Sequence, residues 1–314
     1  MSNALLYVIT VLVWGSTWLA IEFQLGVVAP EVSIVYRYAS ASLLLFAWSR
    51  IRGLRLAFRL REHGTFFLLG MLLFGLNYIL AYRAQIYISS ALTAIAFSTM
   101  VWMNIINARV FFGVRAGRRV LFGALLGVAG IFTLFAPQTS EMTFSDTAFY
   151  GSMLAVLGAL VASFGNMVSQ ASQKTGLPVI QSNAWGMFYG AIITALIAVY
   201  QGHEFLFDWS MGYLGSLLYL TVFGSIVAFG AYLTLLGRIG AHKAGYAMVM
   251  FPVVALILSV FFEDLEIDAT IIVGTLLVLA GNLFVLNTRA PRAPGEPRIA
   301  PGVMPATARA IDLE

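Results

Sequence analysis

The sequence contains no cysteine and few charged residues. The absence of cysteine from its 314 residues excludes disulfide bonds, cysteine metal sites and cysteine nucleophiles. Charged residues make up 10% of the chain and hydrophobic residues 60%, whereas soluble domains carry about 25% charged residues. The surface of a soluble protein needs more polar cover than this chain can supply. The composition therefore excludes an ordinary soluble globular protein.

Apolar runs of about 18 to 25 residues recur along the chain, and this length crosses a bilayer as a helix. The first run has no basic residue before it and no small-residue cleavage site after it, so we predict a span rather than a signal peptide. We predict an all-α polytopic membrane protein with ten transmembrane helices. The predicted spans are 4–21, 31–49, 65–82, 88–111, 119–136, 148–172, 180–200, 211–236, 244–262 and 269–287.

Charge is distributed unevenly between the two sides of these spans. Fifteen of the 18 Lys and Arg residues fall on the side that holds both termini, and ten of the 14 Asp and Glu residues fall on the other. Because basic loops stay in the cytoplasm, we expect a bacterial-type inner membrane location with both termini cytoplasmic. The basic residues behind the net charge of +4 are concentrated on one side of the predicted spans. We therefore expect the lipid bilayer, and not nucleic acid, as the partner.

The two halves of the chain resemble each other at an offset of about 150 residues. Each half holds five predicted spans, an odd number, so the second half must enter the membrane from the opposite side. We predict two inverted five-helix repeats, residues 1–140 and 141–288, around a central cavity, with a proline-rich disordered tail at 289–314. The matched segments are FGLNYILAY (74–82) with FGSIVAFGAY (223–232), VAPE (28–31) with GLPV (176–179), Trp14-Gly15 with Phe164-Gly165, and Gly123 and Gly130 with Gly274 and Gly281.

Several of these segments resemble a known family. WGSTW (14–18), the glycine pairs and AHKAGYAMVMFPVVALILSVFFEDLEI (241–267) resemble the EamA-type exporters of the drug/metabolite transporter superfamily. NYILAYRAQIYISSALTAI (77–95) is most similar to the YddG-type aromatic amino-acid exporters. The first half departs from this pattern, because it has FFGVRAG (111–117) where the second half has FFEDLE. The resemblance implies a ten-helix exporter of amino acids. Predicted packing or hinge positions are Gly15, Gly165, Pro252, Gly123, Gly130, Gly274 and Gly281.

Polar and aromatic residues within the spans fall on shared helix faces. Ser163, Asn166 and Gln170 are spaced three and four apart, so they form one stripe. Such groups are costly in contact with lipid, so they face other helices or water. Two interpretations remain open: they bond neighbouring helices to each other, or they line a cavity for a small-molecule substrate. The candidate substrate-binding residues are Trp18, Tyr78, Tyr82, Trp102, Ser98, Ser163, Asn166, Gln170, Tyr232 and Arg37.

Ionisable groups are scarce inside the spans. No Asp or Glu lies well inside any predicted span, and Glu22, Glu31 and Glu263 are expected to stay solvated at the outer edge. Arg37 is expected about 9 Å deep, where it could bind a substrate carboxylate, reach the surface or pair with another helix. Proton-coupled carriers usually hold an ionisable residue within the membrane, so we predict facilitated export without proton coupling.

The same inventory excludes several other functions. No base or set of metal ligands lies at depth, so neither an enzyme nor a cofactor nor a metal site is expected. Selective pores use repeated rings of carbonyls or charges, and no such segment occurs. We predict an exporter of amino acids, aromatic and other neutral ones, that works by alternating access. The alternatives are a multidrug or organic-cation exporter and, less favoured, a channel-like pore.

Overall fold

The computed structural model describes residues 1–88, 90–134, 146–262 and 269–286. Within these ranges all regular elements are helices and no strand occurs, which confirms the all-α prediction. In chain order the helices are α1 (Asn3–Glu22), α2 (Pro30–Ile51), α3 (Leu60–Leu69), α4 (Asn77–Tyr87), α5 (Ser90–Ser98), α6 (Met100–Phe112), α7 (Arg118–Leu134), α8 (Asp146–Lys174), α9 (Val179–Tyr200), α10 (Met211–Tyr219), α11 (Ala228–Ile239), α12 (Ala241–Ala244), α13 (Ala247–Phe262) and α14 (Ala269–Leu286). The tail predicted at 289–314 lies outside the described residues.

Many of these helices have the length and composition of membrane spans. Large apolar side chains such as Leu43, Leu196 and Val199 are exposed on the outside of the bundle, where lipid tails would cover them. A helix satisfies its own backbone hydrogen bonds, which lipid cannot do. Among the described residues, five continuous helical stretches are long and apolar enough to cross a bilayer: Asn3–Glu22, Leu60–Tyr87, Phe149–Lys174, Val179–Tyr200 and Met211–Ile239. The number of ten spans stays a prediction.

Two of the long helices contain a π-helical segment at equivalent places in the two halves. The first π segment (Gly70–Leu76) joins α3 to α4, and the second π segment (Leu220–Val227) joins α10 to α11. Both overlap the matched segments that begin at Phe74 and Phe223. Segments of π-helix are rare and occur frequently at functional sites. The repeat in the sequence therefore corresponds to a repeat in the backbone geometry.

The last helices of the two halves, α7 and α14, run antiparallel in close contact. A Cβ atom on Gly130 would lie 2.7 Å from the carbonyl oxygen of Gly274, and one on Gly281 would lie 2.6 Å from that of Gly123. Gly130 of α7 thus lies against Gly274 of α14, and Gly281 of α14 lies against Gly123 of α7. Because these glycines are equivalent at an offset of 151, equivalent helices run in opposite directions, as an inverted repeat requires.

The second helices of the two halves show the same relation. The hydroxyl of Ser42, late in α2, donates to the carbonyl oxygen of Ala184, early in α9, at 3.0 Å. Val32, early in α2, clusters with Ala198, late in α9. Antiparallel contact of α2 with α9 therefore repeats the geometry of α7 with α14. A further pair of contacts is related by the repeat. The first helix of the second half, α8, packs on α4 of the first half, and the first helix of the first half, α1, packs on α11 of the second half.

Hydrogen bonds between distant segments define the two ends of the bundle. Arg238 at the end of α11 donates to the carbonyl oxygen of Met1 at 2.9 Å. Trp185 near the start of α9 donates to the carbonyl oxygen of Leu56, between α2 and α3, at 3.2 Å. We call this the N-terminal end. The opposite end contains the start of α2 and the ends of α4 and α9, which hydrogen-bond to one another.

The contact between α7 and α14 generates a prediction about stability. Gly281→Ala places a methyl group against the backbone of α7, which cannot rotate away, so overpacking should cost about 1–3 kcal/mol. Gly215→Ala is the matched control, because a Cβ there meets no atom within 4 Å. We expect Gly281→Ala to lower the melting temperature of the detergent-purified protein and Gly215→Ala to leave it unchanged or higher. Equal melting temperatures for the two variants would contradict this packing.

Candidate functional site

A cavity with about 530 Å³ of empty space lies between helices of both repeats. Its wall is mostly aromatic and aliphatic, with few polar groups. The lining residues are Trp14, Thr17, Trp18, Ile21, Leu73, Asn77, Tyr78, Ala81, Phe97, Met100, Ala162, Asn166, Phe229, Tyr232, Met248 and Phe251. They come from α1, the first π segment, α4, α5, α6, α8, α11 and α13.

The two tryptophans of WGSTW both face this cavity. The ring of Trp14 lies 4.7 Å from that of Phe229 and 4.9 Å from that of Tyr232. Its indole Nε1 donates to the carbonyl oxygen of Gly224, in the second π segment, at 2.9 Å. The ring of Trp18 lies 5.0 Å from that of Phe97. Because Trp14 and Trp18 are four residues apart, both rings lie on the same wall of the cavity. The hydrogen bond to Gly224 fixes the ring of Trp14.

Two polar atoms on cavity-lining residues have no hydrogen-bond partner among the described residues. These are the indole Nε1 of Trp18, a donor, and the amide Oδ1 of Asn166, an acceptor. A buried polar group without a partner costs about 1–3 kcal/mol, which a ligand or water in the cavity would offset. The wall thus offers one donor and one acceptor within an aromatic surface.

A network of amides and hydroxyls borders the cavity at Asn166. Its Nδ2 donates to the hydroxyl of Tyr232 at 2.9 Å and to Oδ1 of Asn104 at 3.3 Å. Ser163 donates to the same Oδ1 at 2.8 Å and accepts from Nδ2 of Asn107 at 2.9 Å. This network joins α6, α8 and α11. Part of the stripe predicted on α8 therefore bonds other helices, and part faces the cavity.

Arg37 lies in the interior beside the cavity wall. The residue is only 1% exposed. Its Nε donates to the hydroxyl of Ser225 at 2.8 Å and its Nη1 to that of Tyr82 at 3.4 Å. The guanidinium carbon lies 4.6 Å from the ring centre of Tyr78 and 5.2 Å from that of Tyr38. Burial excludes the expectation that Arg37 reaches the surface.

The guanidinium of Arg37 lacks an acidic partner in the described part of the chain. The ion pairs formed there involve Arg55, Arg83 and His203, and Nη2 of Arg37 has no hydrogen-bond partner. Tyr78 both stacks on Arg37 and lines the cavity. The positive charge is therefore stabilised only by neutral groups.

The second π segment provides the contact for Arg37. The hydroxyl of Ser225 donates to the carbonyl oxygen of Leu220, five residues earlier, at 2.9 Å. The hydroxyl oxygen of Ser225 in turn accepts from Nε of Arg37 at 2.8 Å. A Cβ on Gly224 would lie 3.2 Å from Nη2 of Arg37 and 3.0 Å from Cγ2 of Thr17, so a glycine at this position allows the guanidinium to approach the backbone closely. The π geometry thus brings a hydroxyl and a glycine to Arg37.

The predicted site residues divide between the cavity and its surroundings. Trp18, Tyr78, Asn166 and Tyr232 line the cavity. Ser163 and Tyr82 do not line the cavity. Ser163 bonds to Asn104 and Asn107. Tyr82 accepts a hydrogen bond from Arg37.

The other three predicted residues lie elsewhere. Trp102 packs in a separate cluster with Val101 and Tyr246. Gln170 accepts from the backbone N–H of Ala241 at 2.8 Å, which fixes the start of α12. Ser98 is buried and is not among the lining residues.

Apolar lining residues such as Phe97, Phe229 and Met248 were not predicted, and no signal in the sequence distinguishes them. In a membrane span, apolar residues are expected on every face. Only the packing of the helices shows which of them border an open space.

Gly15 and Gly165, the predicted hinge positions in the first span of each half, lie in close contact with other helices. A Cβ on Gly15 would lie 2.5 Å from that of Val254, two residues after Pro252 within α13. A Cβ on Gly165 would lie 2.5 Å from Cγ of Leu73, a cavity-lining residue. Both glycines therefore permit close helix contact. Their role as hinges stays a prediction.

Glu31 forms an ion-paired cluster at the opposite end of the bundle. Its Oε1 accepts from Nε of Arg83 at 2.6 Å, and its Oε2 lies 3.5 Å from Nε2 of His203. Arg83 also donates to Oε1 of Gln201 at 2.6 Å. Since Glu31 is 1% exposed, the expectation that it stays solvated is wrong. The end of α4 and the segment after α9 cover it, which its position near a span boundary does not reveal.

Comparisons with known proteins agree with this architecture. The model of the EamA-like transporter family matches residues 1–136 and again residues 149–287. The uncharacterized transporter YoaV of Bacillus subtilis is 25% identical over 297 residues, which cover 92% of this chain and 99% of YoaV. The uncharacterized inner membrane transporter YedA of Escherichia coli is 25% identical over 250 residues, 79% of this chain and 78% of YedA.

A solved structure supports the fold independently. A crystal structure of a protein superposes with a TM-score of 0.75 over 90% of this chain and 96% of that one, at 17% identity. At this identity the likeness concerns the fold alone. The family model, in contrast, covers most of the chain in two copies, one for each repeat. The protein therefore belongs to the EamA-like transporter family and is a multi-pass membrane transporter.

Proposed function

We propose that this transporter is an alternating-access carrier that exports small amphipathic zwitterions, amino acids with aromatic or other apolar side chains foremost. The observation that carries the proposal is Arg37, a buried cation without an acidic partner among the described residues, beside an aromatic cavity. An ionisable residue within a membrane protein is costly and usually serves function.

A substrate carboxylate would give Arg37 the anionic partner that it lacks among the described residues. Hydrogen bonds between guanidinium and carboxylate are about twice as strong as neutral ones. The unpartnered Nη2 of Arg37 is a free donor for such a contact. In the low-dielectric interior the gain would be larger than in water. Anionic groups are therefore favoured close to Arg37.

The same residue argues against the organic-cation alternative. A cationic ligand binds best over the open face of an aromatic ring. Arg37 already lies over the rings of Tyr38 and Tyr78, and its charge would repel a second cation. A molecule with a carboxylate at one end and an apolar side chain fits this wall better than an amine alone.

The ammonium group and the apolar side chain of a zwitterion would also have binding partners in the cavity. Oδ1 of Asn166 would accept from a substrate ammonium, and Nε1 of Trp18 is an additional donor for the carboxylate. The rings of Trp14 and Phe229 provide apolar contact for the side chain. Each of the unpartnered atoms then gains a hydrogen bond only when substrate is bound.

Alternating access is supported by polar contacts that join helices toward each end of the bundle. The network around Asn104 and Asn166 lies toward the N-terminal end, and the Glu31–Arg83 pair lies at the opposite end. Carriers with inverted repeats open one side while they close the other.

The first π segment lines the cavity through Leu73, and the second accepts a hydrogen bond from the lining residue Trp14 at the carbonyl oxygen of Gly224. Both segments would take up the backbone change.

Coupling to protons has little support in this arrangement. Glu31 is engaged by Arg83, and no other carboxylate is buried among the described residues. Burial, with a smaller contribution from Lys243, lowers the pKa of His242 to about 4, so this loop residue stays neutral near pH 7. A zwitterion moved alone carries no net charge and is insensitive to membrane potential. We therefore propose facilitated export.

The first prediction is a transport measurement in proteoliposomes. Labelled phenylalanine should enter saturably and be accelerated by unlabelled phenylalanine inside, because a carrier exchanges substrate. Uptake should reach equilibrium without a pH gradient or a potential, and phenethylamine, which lacks the carboxylate, should be a poor substrate. Unsaturable entry would indicate a pore. Preferential transport of the amine would support an organic-cation exporter, and concentrative uptake lost in Glu31→Gln would show proton coupling.

Substitution of Arg37 tests the role of its charge. Arg37→Gln should reduce phenylalanine transport at least ten-fold, because loss of one partner of a buried charged pair costs about 2–5 kcal/mol. It should leave the slow transport of phenethylamine unchanged or faster. Arg109→Gln, at an exposed arginine, is the control. If Arg37→Gln reduces both substrates equally in a folded protein, Arg37 has a structural role only.

Orientation is tested by cysteine labelling, which the cysteine-free sequence makes straightforward. We propose that the N-terminal end is cytoplasmic, because the basic loops lie there. Cysteine introduced at Arg55 or Arg118 should react with an impermeant reagent only from the cytoplasmic side. Cysteine at Asp208 should react only from outside. The reverse pattern would refute the proposed direction of export.

A further inference from the structure

A second, larger space opens on the outside of the bundle. It contains about 1500 Å³ of empty space between α1, α2, α9, the second π segment and α11. Its walls are mostly aliphatic, and its rim residues Leu44, Trp48 and Ile180 are exposed. No residue lining this crevice is shared with the central cavity. Because the exposed rim would face hydrocarbon, lipid is the molecule that reaches this crevice.

The polar groups of the crevice are concentrated at the N-terminal end. Arg238 lines it and is held by hydrogen bonds to Met1 and Asn3. Arg52 lies over the ring of Trp48, 5.4 Å from its centre, which places a second cation at the rim. None of the described residues that line the crevice is acidic. The mouth is therefore positively charged and the interior is apolar.

Two further observations indicate a site for a ligand. Asn183 lines the crevice one turn into α9, is 2% exposed, and its amide Oδ1 has no hydrogen-bond partner. A buried acceptor without a partner calls for a donor from outside the chain. Gly230 forms part of the wall, and a Cβ there would meet no atom within 4 Å. The space beside it is thus open to an acyl chain.

From these features we propose that the crevice binds an anionic phospholipid with a hydroxylated headgroup, of the phosphatidylglycerol type. The acyl chain lies along the aliphatic wall past Gly230; it is already surrounded by hydrocarbon in the bilayer, so the preference for this lipid comes from its headgroup. The phosphate is placed between Arg238 and Arg52, because arginine and phosphate form strong charge-assisted hydrogen bonds. A headgroup hydroxyl donates to Asn183. Such a lipid would bridge α1, α2, α9 and α11, helices that must shift against one another during transport.

Native mass spectrometry of the purified protein, titrated with phosphatidylglycerol or with phosphatidylcholine of the same acyl chains, tests this site. We expect one phosphatidylglycerol to be retained per protein chain, with at least ten-fold preference over phosphatidylcholine. Gly230→Leu should abolish retention, because the side chain fills the crevice without a clash. Arg238→Gln should reduce the preference for the anionic lipid and keep part of the retention.

Gly215→Leu is the matched control, since it introduces the same side chain into open space at the other end of the same helical stretch. It should retain the lipid as the unsubstituted protein does. Melting temperatures with and without phosphatidylglycerol give a second measurement, with a rise expected for the control and none for Gly230→Leu. Equal retention of the two lipids, or undiminished retention by Gly230→Leu, would overturn the assignment. Release of the lipid by phenylalanine would assign the crevice to the transport path instead, and would also overturn it.

Discussion

The site depends on one constraint, the burial of the Arg37 charge in an apolar interior. Moving an ion out of water costs several kcal/mol even after the protein relaxes. Here Ser225 and Tyr82 accept hydrogen bonds, and two tyrosine rings lie against the guanidinium. These partners are neutral, so they offset the cost only in part. The folded protein thus keeps a region of positive potential beside its cavity, which is unfavourable for stability and suitable for binding an anion.

The inverted repeat creates two equivalent helix contacts, and in the described part of the chain one of them carries this charge. In one half, the second helix meets the π segment of the other half through Arg37 and Ser225. At the equivalent contact α9 meets the first π segment, and there a Cβ on Gly186 would lie 2.9 Å from the ring of Phe74. The first contact is polar and the second is close apolar packing. A symmetric backbone therefore carries an asymmetric site, which suits the proposed zwitterionic substrate with its two different ends.

Much of the architecture could be predicted from the sequence, because it follows from repetition. The glycines at matching offsets were predicted as packing or hinge positions, and Gly130 and Gly281 do pack closely where α7 meets α14. The overlap of FGLNYILAY with FGSIVAFGAY pointed to equivalent segments, but not to their π geometry. A π segment inserts into the helical turn and shifts the faces beyond it. Helical periodicity alone would place Ser225 and Tyr232, seven residues apart, on one face, whereas in the structure Ser225 bonds to Arg37 and Tyr232 to Asn166.

The site was less predictable, because periodicity identifies the face of a helix but not the neighbour of that face. Trp18 and Tyr78 line the cavity, whereas Trp102, equally aromatic and equally central in its span, packs in another cluster. Gln170 looked like a lining residue and instead holds the start of α12. Contacts from distant segments decide these cases. The cover over Glu31, from α4 and the segment after α9, is another example.

The most direct test of the account is a structure of the protein with phenylalanine bound. We predict that the substrate occupies the central cavity with its carboxylate at hydrogen-bond distance from Arg37 and its ring against Trp14 or Phe229. Substrate bound in the cavity with its carboxylate pointing away from Arg37, or bound outside the cavity, would contradict the central claim that this buried charge selects the transported molecule.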